Sequence, residues 1–168
     1  MEYNNVTHTF SPVYNAHSRI LILGTFPSVK SRENQFYYGH PQNRFWKVLA
    51  ALTKSPLPED INGKKELLLT NGIAVWDVIE SCQIAGSSDS SIRDVVPNDI
   101  GKLLKHTEIR QIFANGQKAY DLYMRYIYPE TGRKPEKLPS TSPANAAFRL
   151  ERLIDTWGKS LGPHLSER

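Results

Sequence analysis

Cysteine is nearly absent. Cys82 is the single one in 168 residues, so the chain forms no intramolecular bridge and cannot supply the repeated thiolates of a zinc ribbon or an iron-sulfur cluster. The five histidines are scattered, which leaves metal binding unsupported, and no cofactor is expected. No apolar run approaches the roughly 20 residues that a bilayer requires, so no membrane span is expected. The start, MEYNNVTHTF, lacks the basic region, apolar stretch and small-residue cleavage site of a secretory signal, which predicts a cytoplasmic protein. Internal repeats, low-complexity tracts and long linkers are missing too. At about 150 residues per domain, the length predicts one domain over residues 1–168, with its core at about 19–157.

What the chain has in excess is local. The net charge is +4, and residues 29–54 account for all of it: Lys30, Arg32, Arg44, Lys47 and Lys54 stand against the lone acid Glu33. The same stretch carries Phe36, Tyr37, Tyr38, Phe45 and Trp46. Positive charge mixed with stackable rings suits a nucleic acid or nucleotide, although a solvated face over ordinary core aromatics would look the same.

Strand and helix signals alternate along the chain. Arg19–Gly24, Gly72–Trp76 and Ile109–Ala114 are short apolar runs of the kind buried on both faces of a parallel sheet. Helical periods join Phe45, Trp46, Leu49 and Leu52; then Ala119, Leu122, Tyr123 and Tyr126; then Leu150, Leu153, Ile154 and Trp157. The alternation predicts an α/β fold with a parallel sheet covered by helices on both sides, and ligands beyond the carboxyl ends of its strands.

Three loops fall at those ends. Gly24-Thr25-Phe26-Pro27-Ser28 follows the first strand and lacks the glycine pattern and terminal Lys-Ser/Thr of a phosphate loop. Phe36–Trp46 reads FYYGHPQNRFW, with Asn43 placed either to cap the helix that follows or to meet a ligand at its start. Leu138–Asn145 reads LPSTSPAN, where Ser142 suits an N-cap and Pro143 the first position of the last helix. Its three hydroxyls would hold a phosphate without any charged side chain.

Taken in order, GTFPS, FYYGHPQNRFW, IFANG and LPSTSPAN resemble the motifs of the uracil-DNA glycosylase superfamily, and within it those of the hypoxanthine-DNA glycosylase branch. The resemblance spans about residues 19–157. It implies a three-layer αβα fold with a four-stranded parallel sheet in the order 2-1-3-4. It also implies removal of a deaminated base, hypoxanthine foremost, from double-stranded or single-stranded DNA by a monomer. The chain departs from the better-known branches at two places. The first-loop acid or amide that positions water there is matched by Phe26, and the histidine opening their later motif by Leu138, so ordinary uracil chemistry is not expected. In the hypoxanthine branch the catalytic amides match Asn43 and Asn115. By its place in the motif Tyr38 is the base-stacking ring, with Phe26 lining the other side, and Ser28, Ser140 and Ser142 are the expected phosphate contacts.

The expected chemistry is hydrolysis of an N-glycosidic bond. Asn43 orients the water or the sugar face, and Asn115 pairs with the 6-keto edge of the base. No lysine lies in these motifs, which predicts a hydrolase and not a Schiff-base lyase. His40 reads as structural in preference to a proton donor, Asp77 as a surface or capping residue in preference to one that orients water, and Cys82 as a small buried or half-buried one. The competing readings are a glycosylase of broader range, a DNA-binding module that does not cleave, and a nucleoside hydrolase.

Overall fold

A computed structural model describes residues 2–85 and 89–165. Seven strands and seven helices are described, in the order β1 (Asn4–Thr7), β2 (Ile20–Gly24), α1 (Val29–Asn34), α2 (Phe45–Thr53), α3 (Ile61–Thr70), β3 (Ile73–Asp77) and β4 (Ile79–Ile84). There follow β5 (Arg93–Pro97), α4 (Ile100–Lys105), β6 (Gln111–Asn115), α5 (Gln117–Tyr126), α6 (Tyr128–Thr131), β7 (Glu136–Leu138) and α7 (Leu150–Leu165).

The four-stranded sheet runs β3-β2-β6-β7 and is parallel throughout. Numbered within the sheet this is 2-1-3-4, as expected. Every residue of β2 is buried, because helices cover both faces of a strand whose backbone pairs on both edges. Alternate side chains divide into two cores. Ile20, Ile22, Ile73, Val75 and Phe113 pack with α2 and α7, where Trp157 is fully buried and its Nε1 donates to the Pro139 carbonyl at 2.9 Å. Replacing such a ring with alanine removes about 3–5 kcal/mol of stability. Leu21, Leu23, Ala74 and Ile112 pack on the other face with α4 and α5.

Two features differ from expectation. Residues 4–7, 79–84 and 93–97 contribute an antiparallel sheet, β1-β4-β5, that short-range periodicity did not reveal. Its strands are half-exposed and β4–β5 pairing is broken by register shifts, so no clean alternation marks them. The last helix begins at Leu150 and not at Pro143. Ser140 Oγ accepts from Ser142 N at 3.1 Å and Ser142 Oγ from Ala144 N at 3.2 Å, so the hydroxyls close successive turns in place of a helical cap. Among the described residues no helix is long and apolar enough to cross a membrane.

Candidate active site

The carboxyl ends of β2, β3 and β6 open into one cavity of about 550 Å³, a size suited to a small organic ligand. Asn43, Asn115, Tyr38, Phe26, Ser28, Ser140 and Ser142 all line it. The chain therefore brings these seven candidate residues to one place.

Asn115 ends β6 and is buried. Its carboxamide is held in two directions by one residue: Nδ2 donates to Thr141 Oγ1 and Oδ1 accepts from Thr141 N, each at 3.1 Å. One N–H and one lone pair are left for a ligand. Asn43 stands just before the capping position of α2, which Arg44 occupies, and its Oδ1 accepts from Phe45 N at 3.0 Å. The capping contact leaves its Nδ2 without a hydrogen bond among the described residues.

Arg44 ties the Asn43 segment to the 141–148 loop, whose Thr141 clamps Asn115. Its guanidinium donates to the carbonyls of Thr141, Ser142, Asn145 and Phe148, and its backbone N–H donates to Thr141 O as well. One of the five basic residues counted in 29–54 is therefore engaged within the protein. Those bonds also explain the late start of α7, since they draw the 142–148 carbonyls away from a helical ladder.

The Tyr38 ring stacks on Phe45, with centroids 3.8 Å apart at 17°, so one of its two faces is covered. Its backbone is left-handed at φ +53°, and its hydroxyl is buried with no well-formed hydrogen bond among the described residues. Burial pushes the Tyr38 phenol well above its ordinary value, the Asp77 charge adds to this, and contact with Asn115 opposes it. Tyr37 is pushed up by burial and by Asp77 in the same way, while its hydroxyl donates to Ser11 O at 2.9 Å. Both phenols therefore stay protonated. Phe36, Tyr37, Phe45 and Trp46 belong to the core, as the sequence suggested.

Ser28 caps α1, accepting from Ser31 N at 3.1 Å. Ser140 and Ser142 each accept a backbone N–H, which leaves their own O–H free to donate. Gly116, at φ +98°, lets Ser140 approach, since a Cβ there would lie 3.1 Å from Ser140 Cβ. His40 is exposed and its Nδ1 accepts from Gln42 N at 3.1 Å, a turn contact. Lys30 lines the cavity too, is half-exposed, and pairs with Glu33 at 3.5 Å.

Asp77 corrects the sequence reading. It is buried at 4% exposure, lines the cavity, and shares a 2.9 Å contact between its Oδ2 and His8 Nε2. His8 follows β1, whose antiparallel pairing with β4 continues into a His8 N to Glu80 O bond of 2.6 Å and so carries the imidazole to the end of β3. A buried acid at the end of a strand recognised as buried was a usable signal for Asp77. Nothing local pointed to His8, 69 positions away.

A parallel sheet wrapped by helices, with a cavity of amides, rings and hydroxyls at its strand ends, is the arrangement a glycosylase-type site requires. The comparisons agree. Residues 11–158 match the family model for the uracil DNA glycosylase superfamily, and the chain belongs to that superfamily. A relative in Methanosarcina acetivorans, named hypoxanthine DNA glycosylase, is 37% identical over 147 residues, covering 85% of this chain and 90% of its own. A second of the same name in Methanosarcina barkeri is 33% identical over 127 residues, covering 73% and 80%. The solution NMR structure of a candidate uracil DNA glycosylase from Methanosarcina acetivorans superposes with a TM-score of 0.79 at 32% identity, over 94% of this chain and 97% of the other.

Proposed function

We propose that this protein is a monofunctional DNA glycosylase that hydrolyses the N-glycosidic bond of deoxyinosine, releasing hypoxanthine. The observation that supports this most is that Asn43 and Asn115, from distant parts of the chain, line one cavity with an aromatic ring between α2 and the first loop. The names of the two relatives agree with it.

Bond cleavage places positive charge on the sugar and negative charge on the departing base. Asn43, held at a helix start, serves the sugar side, where it orients the water. Asn115, clamped by Thr141, directs its remaining Nδ2–H to the 6-keto oxygen, where charge develops, without reorganising. DNA phosphates stabilise the cationic sugar. Flipping the nucleotide costs a few kcal/mol, and stacking on the cavity rings, Phe26 or the free side of Tyr38, returns about 1–3 kcal/mol. Ser28, Ser140, Ser142 and Lys30 then hold phosphates of double-stranded or single-stranded DNA at the rim. Lys30 is ion-paired and outside the amide cluster, which favours hydrolysis over a Schiff-base lyase.

The test is incubation with duplexes carrying inosine, uracil or xanthine, followed by alkaline strand scission. Strong scission at inosine alone is expected. Binding to the inosine duplex without scission would replace the enzyme with a recognition module.

A further inference from the structure

Asp77 is the one carboxylate in the cavity lining among the described residues, and neither proposed catalytic amide accounts for it. Its Oδ2 is held by His8, which in turn is enclosed by the rings of Phe10 (4.5 Å), Tyr37 (5.7 Å) and Phe26 (6.2 Å, edge-on). The two side chains are 2% and 5% exposed, so the pair has little freedom to turn. Its Oδ1 makes no hydrogen bond among the described residues. It lies over Gly24, which pairs with Asp77 across the sheet, and a methyl group on that glycine would collide with both Asp77 Oδ1 and the Tyr38 hydroxyl. The open carboxylate oxygen and the Tyr38 hydroxyl, a buried donor without a well-formed partner among the described residues, therefore face the same small volume. A buried donor left in that state is costly, and a bound ligand edge that accepts from it would recover the loss.

We propose that Asp77 Oδ1 and the Tyr38 hydroxyl together read the edge that deamination creates, with His8 as the residue that positions the carboxylate. This rests on the glycosylase reading above and adds the source of its selectivity. Deaminating adenine replaces a 6-amino donor with a keto acceptor and turns ring N1 from an acceptor into an N–H donor. The carboxylate can only accept, so it pairs with N1–H of hypoxanthine and opposes the N1 lone pair of adenine. The Tyr38 hydroxyl donates to O6, whose second lone pair remains for Asn115, in a pose where the base meets the rim of Tyr38 and Phe26 supplies the stacking face. His8 Nε2–H, bonded to Oδ2, fixes the carboxylate so that Oδ1 faces the cavity. Guanine carries the same N1–H and O6 edge, so its exclusion falls to other contacts around C2.

The experiment compares single-turnover rates on two duplexes, one with deoxyinosine and one with the deoxynucleoside of unsubstituted purine, whose N1 bears no hydrogen and whose C6 bears no oxygen. The wild-type protein is expected to favour inosine by tenfold or more, about what a directed pair of base contacts gives. Asp77→Asn can turn an N–H toward a bare ring nitrogen, so it should speed the purine reaction and shrink the preference by about tenfold. Loss of rate on both duplexes by one common factor in Asp77→Asn would overturn the edge-reading role. His8→Leu should slow the inosine reaction about tenfold, whereas His8→Gln, which keeps an N–H for Oδ2, should stay within about threefold of wild type. Equal losses in the two His8 variants would overturn the positioning role, and if His8→Leu does not fold, a tenfold loss in His8→Gln does the same. Wild-type protein that leaves inosine intact would fell the glycosylase reading itself, whereas intact inosine cleavage with an unmoved preference fells this inference alone.

Discussion

Asp77 and Asn115 flank the end of β2 on its two sides, one closing β3 and the other β6, yet they are wired differently. Asn115 meets Thr141 with both of its polar atoms and belongs to a framework that Arg44 pins together. Asp77 has one oxygen held from behind by His8 and the other open toward Gly24 and Tyr38. The amide side is rigid because short motif segments bond to each other. The acid side depends on a strand from the chain's start. On the roles proposed above, the amide side sets rate and stability together, while the acid side tunes which base is accepted.

Variants can break that contrast, beginning with the strongest. Asn115→Ala should lower single-turnover cleavage of an inosine duplex by about 100-fold to 1000-fold, the usual loss for a preorganised transition-state donor. Unlike a surface amide, it should also lower folding stability by about 2 kcal/mol or more, because Thr141 N and Oγ1 would be left unpaired in a fully buried position. Chemical denaturation checks this; an unchanged midpoint would show that the clamp carries no load. Gly24→Ala comes next. Its methyl group meets Asp77 Oδ1 and the Tyr38 hydroxyl, so displacement of both should slow cleavage by up to about 100-fold. Since the amide side does not touch that methyl, the melting temperature should fall less than in Asn115→Ala. The reverse order would erase the distinction between the two sides. Ser140→Ala removes one neutral hydroxyl at the rim and should weaken duplex binding about fivefold, about 1 kcal/mol, with the cleavage rate of bound DNA unchanged. Fluorescence anisotropy on uncleavable duplex measures this, and a rate defect without a binding defect would move Ser140 from the phosphate rim into the reacting centre.

The same contrast explains what could be read in advance. The buried runs of β2, β3 and β6 are continuous and apolar, and the helices over them repeat at 3.6 residues, so the parallel sheet was legible from composition and period alone. Asn43, Asn115 and the Ser140–Ser142 turn sit in contiguous motifs, and their contacts are short in sequence or fall between two motifs. β7, three residues long, showed no run to detect. The half-exposed sheet β1-β4-β5 gave no alternation, and with it the position of His8 was hidden, since only a long-range pairing of Thr7 with Ser81 brings the imidazole to Asp77. Ser142 misled because hydroxyls that favour helix caps equally favour isolated turns.

The central claim is that a helix-start carboxamide and a strand-end carboxamide act on one extruded purine. Asn43→Ala isolates it best, because that side chain is half-exposed and its loss removes a single capping bond of about 1 kcal/mol. Single-turnover cleavage of a deoxyinosine duplex by this variant should fall at least about 100-fold below wild type while duplex affinity and melting temperature stay close to it. Cleavage near the wild-type rate would contradict the account.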